Sequence, residues 1–499
     1  MSDEPTDTKV PDAAQEKSGA APAPKPAAAK PKPKKAAAKD DFGDPGLTAK
    51  GLEPIGFEQR TRAAWQHGLD VFGLVLSPTQ LAILLTMLPL VDATKPALLG
   101  VLGGMLLGAM FAVLIATPLL RYGLSLGVLS RSAYGVRGAL IVPLVRVILG
   151  VGFFAHAAVI AVLTLMWCTL CLTPVVVPAF QRVPLLGTMS LITVIGAFIL
   201  GITVWAFARE LKRGTAIALL VPGVVLLLAL FLMPGNLPLG TAWGMVDLVE
   251  RAQTDNVAPV IIGAALWSAS LFTLPVNEAR KVSTQLGQSV SVLASVVPWL
   301  LGGLGYALAV LSSGKSDTGF FDLPALACRR LSSPWLVLVL TCSTVALLWP
   351  MALSAKRSVQ LGMLELVQSP KVRRAGEYTL LGLALLGAVL VRGGLVRYGY
   401  EALLGLAWLH VVLVACVIVH YFVVERARLV LDDLYTYRGR YRGVLGVSPS
   451  GVLAIAGGCA AVVWASKVGY LLSIGAALGI GTAALLYVVL ASVQRLIQR

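Results

Sequence analysis

The sequence predicts an all-α polytopic membrane protein, and three observations support this fold class. Of the 499 residues, 57% are hydrophobic and only 13% are charged, whereas a soluble domain carries about 25% charged residues. From Trp65 onward, long apolar runs alternate with short charged loops, and about 20 helical residues suffice to span a hydrocarbon core of about 30 Å. The regular apolar–polar alternation of a membrane β-barrel is absent from these runs.

Residues 1–60 differ from the rest of the chain and are predicted to form a disordered cytoplasmic tail. Positions 20–39 consist almost entirely of Ala, Pro and Lys, a composition that cannot bury apolar surface. We interpret this tail as a solvated linker, the alternative being an electrostatic tether to anionic lipid. The net charge of +16 does not indicate a nucleic-acid partner, because the charges lie in loops and tails instead of on one basic face. No apolar stretch directly follows a basic start, so we expect no cleavable signal peptide.

Residues 61–499 are predicted to form one transmembrane domain. Most Lys and Arg residues fall in alternate loops, beginning with the loop between spans two and three. Because such loops stay on the cytoplasmic side, we expect a multi-pass protein of the inner (plasma) membrane with both termini in the cytoplasm. Glycine pairs at 103–104 and 457–458 lie within spans and predict close helix packing. The twelve predicted spans lie near 66–91, 97–119, 141–172, 187–208, 214–234, 258–276, 290–312, 333–354, 377–394, 401–424, 450–468 and 470–493.

Two spans contain interruptions at matching places. The first span contains LSPTQ at 76–80, and the sixth contains WSAS at 267–270 followed by Pro275. A proline removes one backbone donor and frees a carbonyl group, and freed carbonyls in a membrane can bind a cation. A matched pair of broken helices is typical of the binding site of a secondary transporter. The alternative interpretation is an ordinary proline kink of a membrane helix.

Three further stretches share a pattern with one protein family. Residues 52–65 contain LEP and then RTRAAW, residues 129–139 read LSRSAYGVRGA, and residues 432–442 contain DDLY and then GRYR. In this order they resemble motifs of the purine/cytosine permease family, the nucleobase:cation symporters that include hydantoin, allantoin and cytosine permeases. The resemblance implies a LeuT-type fold of two inverted five-helix repeats plus two C-terminal helices. It also implies cation-coupled symport of a planar heterocyclic compound such as a nucleobase or hydantoin.

The same resemblance implies a substrate site among spans one, three, six and eight. The family pattern GWFGxQ of the third span corresponds to GFFAHA here, which puts Phe153 at the stacking position and His156 near it. Trp267 matches the second aromatic position, Trp349 replaces an Asn of the eighth span, and Gln80 is a remaining amide. Because the aromatic residues are kept and two amides are lost, we expect a more apolar ring than a standard nucleobase.

A cation site is also implied by the resemblance, between carbonyl groups of the first-span break and hydroxyl groups of the eighth span. Hard cations prefer oxygen ligands, so sodium is the expected coupling ion. Protons are the alternative, because the intramembrane histidines His156, His410 and His420 can titrate near neutral pH. The matching cation-binding residues are Leu76, Thr79, Leu340, Ser343 and Thr344.

Two other functions stay open at this point. An amino-acid carrier of the same superfamily would usually expose a glycine-rich backbone at the first-span break, and this chain has none there. A transporter-derived sensor without flux would explain the lost amides. No enzyme motif is present, neither a phosphate-binding loop nor H-E-x-x-H. We expect no cofactor, and either Na⁺ or H⁺ as the coupling ion. The expected partners are a small-molecule substrate and the lipid bilayer, without nucleic acid, and the protein is expected to be a monomer.

Overall fold

The computed structural model describes residues 52–75, 94–172, 224, 257–297, 334–390, 392–437, 439–468 and 472–498. Helices connected by short loops make up these residues, and the ranges just given contain no β-strand. The predicted first-span break at 76–80, the predicted spans four and five, and most of span seven lie outside the described residues.

Each predicted span within the described residues coincides with a helix. Five helices of this part are long and apolar enough to cross a membrane, in Leu99–Tyr122, Gly138–Ile160, Ala402–Val424, Pro449–Lys467 and Ser473–Leu496. The helix Ala258–Thr273 is apolar but shorter. The helices are α1 (Ala64–Val75), α2 (Thr94–Tyr122), α3 (Leu126–Tyr134), α4 (Ile141–Leu172), α5 (Ala258–Thr273), α6 (Val276–Ala279), α7 (Gln285–Ala294), α8 (Pro334–Leu366), α9 (Pro370–Leu390), α10 (Arg392–Val419), α11 (Leu431–Leu434), α12 (Pro449–Lys467) and α13 (Leu472–Gln498).

Helices α8 and α9 extend beyond the spans predicted for them. Span eight is predicted to end at 354, but α8 continues to Leu366 and is 33 residues long. At 1.5 Å per residue this is about 50 Å, more than the hydrocarbon core requires. Hydropathy marks where the bilayer ends, whereas the helix continues because Lys, Arg, Gln and Glu are good helix formers. Span nine is predicted to begin at 377, but α9 begins at Pro370, since proline is favourable at the first position of a helix.

Glycines on α2 let this helix pack directly against the backbone of α5. A Cβ atom added at Gly104 would lie 2.2 Å from the carbonyl oxygen of Ile261, and one at Gly108 would lie 2.4 Å from Ser268 Oγ. These distances are far below van der Waals contact, so the observed approach of the helices requires residues without a side chain. A Cβ atom added at Gly103 would have no atom of the described residues within 4 Å. Of the pair 103–104, only Gly104 therefore makes the close contact.

Glycines join other helix pairs in the same way. A Cβ atom at Gly150 would lie 2.8 Å from the carbonyl oxygen of Ala355, which brings α4 close to α8. One at Gly458 would lie 2.7 Å from the carbonyl oxygen of Gly479, which brings α12 close to α13. The buried core runs through α2, α4, α5, α8 and α10, and these helices position the candidate site.

Candidate functional site

The sixth span is interrupted where the sequence places Pro275. Helix α5 ends at Thr273, and Leu274 and Pro275 separate it from the single turn of α6. Proline has no backbone N–H and cannot continue the hydrogen-bond pattern of α5, and the Glu278 N–H donates to the Pro275 carbonyl at 2.8 Å instead of to the Leu274 carbonyl. The Leu274 carbonyl accepts a hydrogen bond of 3.2 Å from Nη2 of Arg146, a side chain of α4 that is 2% exposed. A guanidinium group therefore binds a carbonyl at the break.

Two of the predicted substrate-binding residues contact each other inside the bundle. Phe153 of α4 and Trp267 of α5 are both fully buried, and their ring centroids lie 5.4 Å apart. The ring planes are inclined by 74°, which is the edge-to-face arrangement that aromatic pairs favour. The structure thus brings together the aromatic residues of the third and sixth spans, and the glycine contacts of α2 hold the helix that carries Trp267.

Two buried polar atoms lie on the same helices, one turn from the aromatic pair. His156 follows Phe153 by three residues, and Ser270 follows Trp267 by three residues, so each lies on the helix face of its aromatic neighbour. Neither His156 Nε2 nor Ser270 Oγ has a hydrogen-bond partner among the described residues. Leaving such an atom buried and unpaired costs about 1–3 kcal/mol. These atoms are therefore candidate polar contacts for a bound compound.

His410 of α10 binds the last turn of α5. Its Nε2 lies 2.9 Å from Oγ1 of Thr273, and the Thr273 hydroxyl lies 2.7 Å from the carbonyl oxygen of Ser270, to which it donates. A threonine hydroxyl has a single hydrogen to donate, so the geometry assigns a proton to His410 Nε2, which donates to Thr273. This contact ties the tenth span to the helix end just before the break. It was not predicted, because sequence spacing does not relate positions 273 and 410.

The structure describes the predicted cation site only in part. Ser343 is buried on α8. Thr341, which the sequence reasoning did not select, is 2% exposed, and its Oγ1 has no partner among the described residues. No pattern in the sequence distinguishes Thr341, since an unpaired hydroxyl becomes visible only in a structure. The predicted residues that lie outside the described part, or whose side chains do, are Leu76, Thr79, Gln80, Leu340, Thr344 and Trp349.

The three motifs that carry the family resemblance meet at one end of the bundle. Arg131 of the second motif donates to the Leu434 carbonyl at 3.0 Å, and its guanidinium carbon lies 5.6 Å from the ring centroid of Tyr435. The Tyr435 hydroxyl donates to the Leu52 carbonyl at 2.7 Å. The motifs therefore stabilise one another. We call this end the basic end, and its segments are 52–62, 123–138, 274–284 and 425–448.

Ion pairs bind the segment after the break to the first motif. Oε2 of Glu278 lies 3.2 Å from Nη1 of Arg62 and 3.1 Å from Nζ of Lys281. Burial by itself would raise the pKa of the Glu278 carboxyl, but the positive charges of Lys281, Arg357 and Arg62 bring it below its ordinary value. Glu278 is therefore charged at neutral pH. It fixes the segment that follows the sixth-span break to the segment that precedes α1.

Glu365 of α8 is a second buried carboxyl group, and it contacts the basic end through Ser125 and lies close to several arginines. Ser125, the residue that caps α3, donates through Oγ to Glu365 Oε1 at 2.8 Å. Burial raises the pKa of Glu365, and the Ser125 hydrogen bond and the charges of Arg146, Arg131 and Arg280 offset this effect only in part. Arg146, which binds the Leu274 carbonyl at the break, and Arg131 of the second motif therefore both lower the pKa of the buried Glu365 carboxyl.

These features define the class of protein. Apolar helices of membrane-spanning length, an interrupted sixth span and a buried site between non-consecutive helices are typical of secondary transporters. Residues 93–489 match the family described as "Permease for cytosine/purines, uracil, thiamine, allantoin". The chain belongs to this family, which confirms the resemblance seen in the three motifs, and it is a multi-pass membrane permease, not an enzyme. A comparison with curated proteins found no match.

Solved structures of similar proteins have the same fold. Mhp1, a nucleobase-cation-symport-1 family transporter in a closed conformation with bromovinylhydantoin bound, is 18% identical over 89% of this chain and 95% of that chain, with a TM-score of 0.66. The inward facing conformation of Mhp1 gives 18% identity over 89% and 93%, with a TM-score of 0.67. A substrate-bound, outward-open Na⁺-coupled sialic acid symporter gives 13% identity over 91% and 93%, with a TM-score of 0.60. These similarities confirm the predicted LeuT-type fold of two inverted five-helix repeats plus two C-terminal helices.

Proposed function

We propose that the chain is a secondary active transporter that couples the symport of a planar heterocyclic compound to a cation. The family description names permeases for ring compounds such as cytosine, purines, uracil and allantoin. The similar structure of Mhp1 holds bromovinylhydantoin, which is also a ring compound. In this chain, the observation that supports the proposal most directly is the buried contact between Phe153 and Trp267, at 5.4 Å between ring centroids.

The aromatic pair supports a particular kind of substrate. The two rings contact each other edge to face, so a planar compound would stack on Trp267 as that contact opens. His156 Nε2 and Ser270 Oγ would then supply one or two hydrogen bonds to the ring. Because the sequence keeps the aromatic residues of the family pattern and lacks two of its amides, a compound with few donors and acceptors, such as a substituted hydantoin, fits better than a standard nucleobase.

For the coupling ion we propose sodium, bound between Leu76 and Thr79 of the first span and the eighth-span residues Leu340, Ser343 and Thr344. Buried hydroxyl oxygens on α8 are the ligand type that hard cations prefer. One of the similar solved structures is a Na⁺-coupled symporter. A proton carried by His156 is the second candidate, and the unpaired, buried Nε2 of this residue favours it.

We also propose that the protein is a monomer in the inner membrane with both termini in the cytoplasm. The loop charges support this orientation, because Lys and Arg are concentrated in alternate loops. The basic end would then face the cytoplasm. Reaction of single cysteines, introduced into a variant without native cysteines, with a membrane-impermeant reagent in sealed vesicles would test the orientation.

Uptake and binding measurements test the proposed function together. Purified protein in vesicles should accumulate a labelled hydantoin or nucleobase only when an inward sodium gradient is applied. The Trp267→Ala variant should bind the ring compound about 5- to 150-fold more weakly, because loss of ring stacking costs about 1–3 kcal/mol. Ser343→Ala should still bind the compound but lose the sodium dependence. Trp464→Ala is the matched control, because Trp464 is 59% exposed on α12.

Each result separates the proposed functions. Unchanged ring binding by Trp267→Ala would show that the ring binds elsewhere. Tight binding without accumulation would favour the sensor function over transport. Accumulation that follows a pH gradient and ignores sodium would assign the coupling to protons, and His156→Gln should then abolish it.

A further inference from the structure

A cavity of about 630 Å³ lies at the basic end, beside the ends of the tenth and twelfth spans. This volume is in the range of small-molecule sites, which is about 300–1,000 Å³. The cavity is separate from the aromatic pair, since Phe153 and Trp267 are not among its lining residues. Its charged lining residues are four arginines and one glutamate, a formal net charge of +3, namely Arg426, Arg428, Arg440, Arg495 and Glu425.

Glu425 forms ion pairs with two of these arginines, Arg440 and Arg495. Its side chain is 4% exposed, and Oε1 accepts hydrogen bonds from Nη2 of Arg440, at 3.1 Å, and from Nη2 of Arg495. Arg495 also donates through Nη1 to the Val424 carbonyl. A carboxylate carries a single negative charge, so the two guanidinium groups together retain a positive charge at the cavity wall. The three side chains join the end of the tenth span to α13.

Arg426 and Arg428 are exposed and have no ion-pair partner in the part of the chain that the structure describes. The backbone that presents them is unusual, because φ is 50° at Arg426 and 59° at Ala427. A left-handed conformation at two consecutive residues other than glycine is strained. Strain of this kind persists where the surrounding structure imposes it, and here it places two positive side chains on the same cavity.

The cavity lies where a membrane surface would be. The candidate spans next to it end at Val424 and Leu496, so the arginines lie at the level of lipid headgroups. Exposed apolar side chains also line the cavity, with Val423 55% and Val430 43% exposed. A soluble anion would contact only the arginines, whereas a phospholipid would use both the arginines and the apolar side chains.

We propose that this cavity binds the phosphate headgroup of an anionic phospholipid from the leaflet at the basic end. Guanidinium groups bind phosphate oxygens through pairs of N–H donors, and basic pockets between membrane helices bind anionic headgroups. Arg426 and Arg428 bind the phosphate directly. Glu425 holds Arg440 and Arg495 in place, while Val423 and Val430 contact the acyl chains.

Titration of the purified full-length protein in detergent tests this site. The probes are phosphatidylglycerol, phosphatidylcholine and inorganic phosphate, and the readouts are native mass spectrometry and thermal stability. We expect phosphatidylglycerol to bind and stabilise the protein, and the other two probes to bind much more weakly. The double variant Arg426→Gln/Arg428→Gln should bind phosphatidylglycerol about 30-fold more weakly, because each basic side chain at a lipid surface contributes about fivefold.

Arg442→Gln is the matched control for the double variant. Arg442 is an exposed arginine of the same segment that does not line the cavity, so this variant should bind phosphatidylglycerol as the parent does. Equal affinity of the double variant and the parent would overturn the proposal, and so would equal affinity for phosphatidylcholine. Inorganic phosphate bound as tightly as phosphatidylglycerol would assign the cavity to a soluble anion and overturn the lipid assignment.

Discussion

Replacing Gly104 by alanine should force α2 and α5 apart, whereas the same change at Gly103 should not. A Cβ atom at Gly104 would lie 2.2 Å from the carbonyl oxygen of Ile261 and 2.9 Å from the backbone nitrogen of Ala265. Both are backbone atoms, which cannot rotate away as the end of a side chain can. At Gly103 a Cβ atom would have nothing within 4 Å in the part of the chain that the structure describes. Gly103→Ala is therefore the matched control for Gly104→Ala.

The size of the effect follows from these distances. Carbon and carbonyl oxygen ordinarily approach to about 3.3 Å, so α5 has to move by about 1 Å at this point. Overpacking of a close contact costs about 1–3 kcal/mol. Alanine is favoured over glycine in a helix by about 1 kcal/mol, but this gain applies to both variants and cancels in their difference. We therefore expect Gly104→Ala to be less stable than Gly103→Ala by about 1–3 kcal/mol.

Thermal unfolding of both variants in the same detergent measures this difference. Uptake provides a second readout, because α5 carries Trp267 and a displacement of about 1 Å should weaken contacts at the aromatic pair. Equal unfolding temperatures for the two variants would refute the reasoning. The glycine contacts of α2 would then not determine the position of α5.

Two further variants test the basic end. Glu278→Gln should lower stability by about 1–3 kcal/mol at neutral pH, because it removes the charge-assisted bond to Arg62. The pKa of Glu278 is lowered in the folded protein, so its contribution is complete above the ordinary carboxyl value of about 4.3 and is lost as the pH falls through the lower folded value. The unfolding temperatures of parent and variant should therefore approach each other as the pH falls below the ordinary carboxyl value, and a gap that stays constant over that range would contradict this account. Tyr435→Phe should lower the free energy of unfolding by about 1–2 kcal/mol, since it leaves the Leu52 carbonyl without its hydrogen bond. Tyr378→Phe is the control and should leave the stability unchanged, because Tyr378 is exposed. Equal stability of these two variants would show that the hydrogen bond of Tyr435 does not contribute to stability.

Hydropathy predicted most helices because a membrane imposes one length scale on them. The third predicted span, 141–172, has the same bounds as α4. The eighth span was predicted too short, because α8 extends beyond the apolar run by continuing with charged helix formers. The polarity of the sequence determines where a helix leaves the bilayer. Its tertiary contacts determine where the helix ends, as the hydrogen bond of Glu365 with Ser125 shows near the end of α8.

The sequence predicted the aromatic residues and the proline break, but it could not predict what binds at the break. Pro275 indicated a freed carbonyl that could bind a coupling cation. In the structure, the Leu274 carbonyl accepts a hydrogen bond from the guanidinium group of Arg146. Positions 146 and 274 lie on different helices, so no spacing rule relates them. The contact between Phe153 and Trp267 follows a family pattern, whereas the 74° angle between their ring planes is visible only in the structure.

The contacts around the break divide the sixth span into two parts with different attachments. Before the break, Thr273 is bound by His410 of the tenth span. After it, Asn277 Oδ1 accepts from the backbone nitrogen of Leu126 at 2.8 Å, and Glu278 pairs with Arg62. Opening a transporter at the basic end would require one set of attachments to move relative to the other, and Leu274 and Pro275 form the helix interruption between the two sets. Each bond that such a movement breaks is worth about 0.5–3 kcal/mol, which is comparable to the coupling free energy that bound ligands typically exert on a conformational equilibrium.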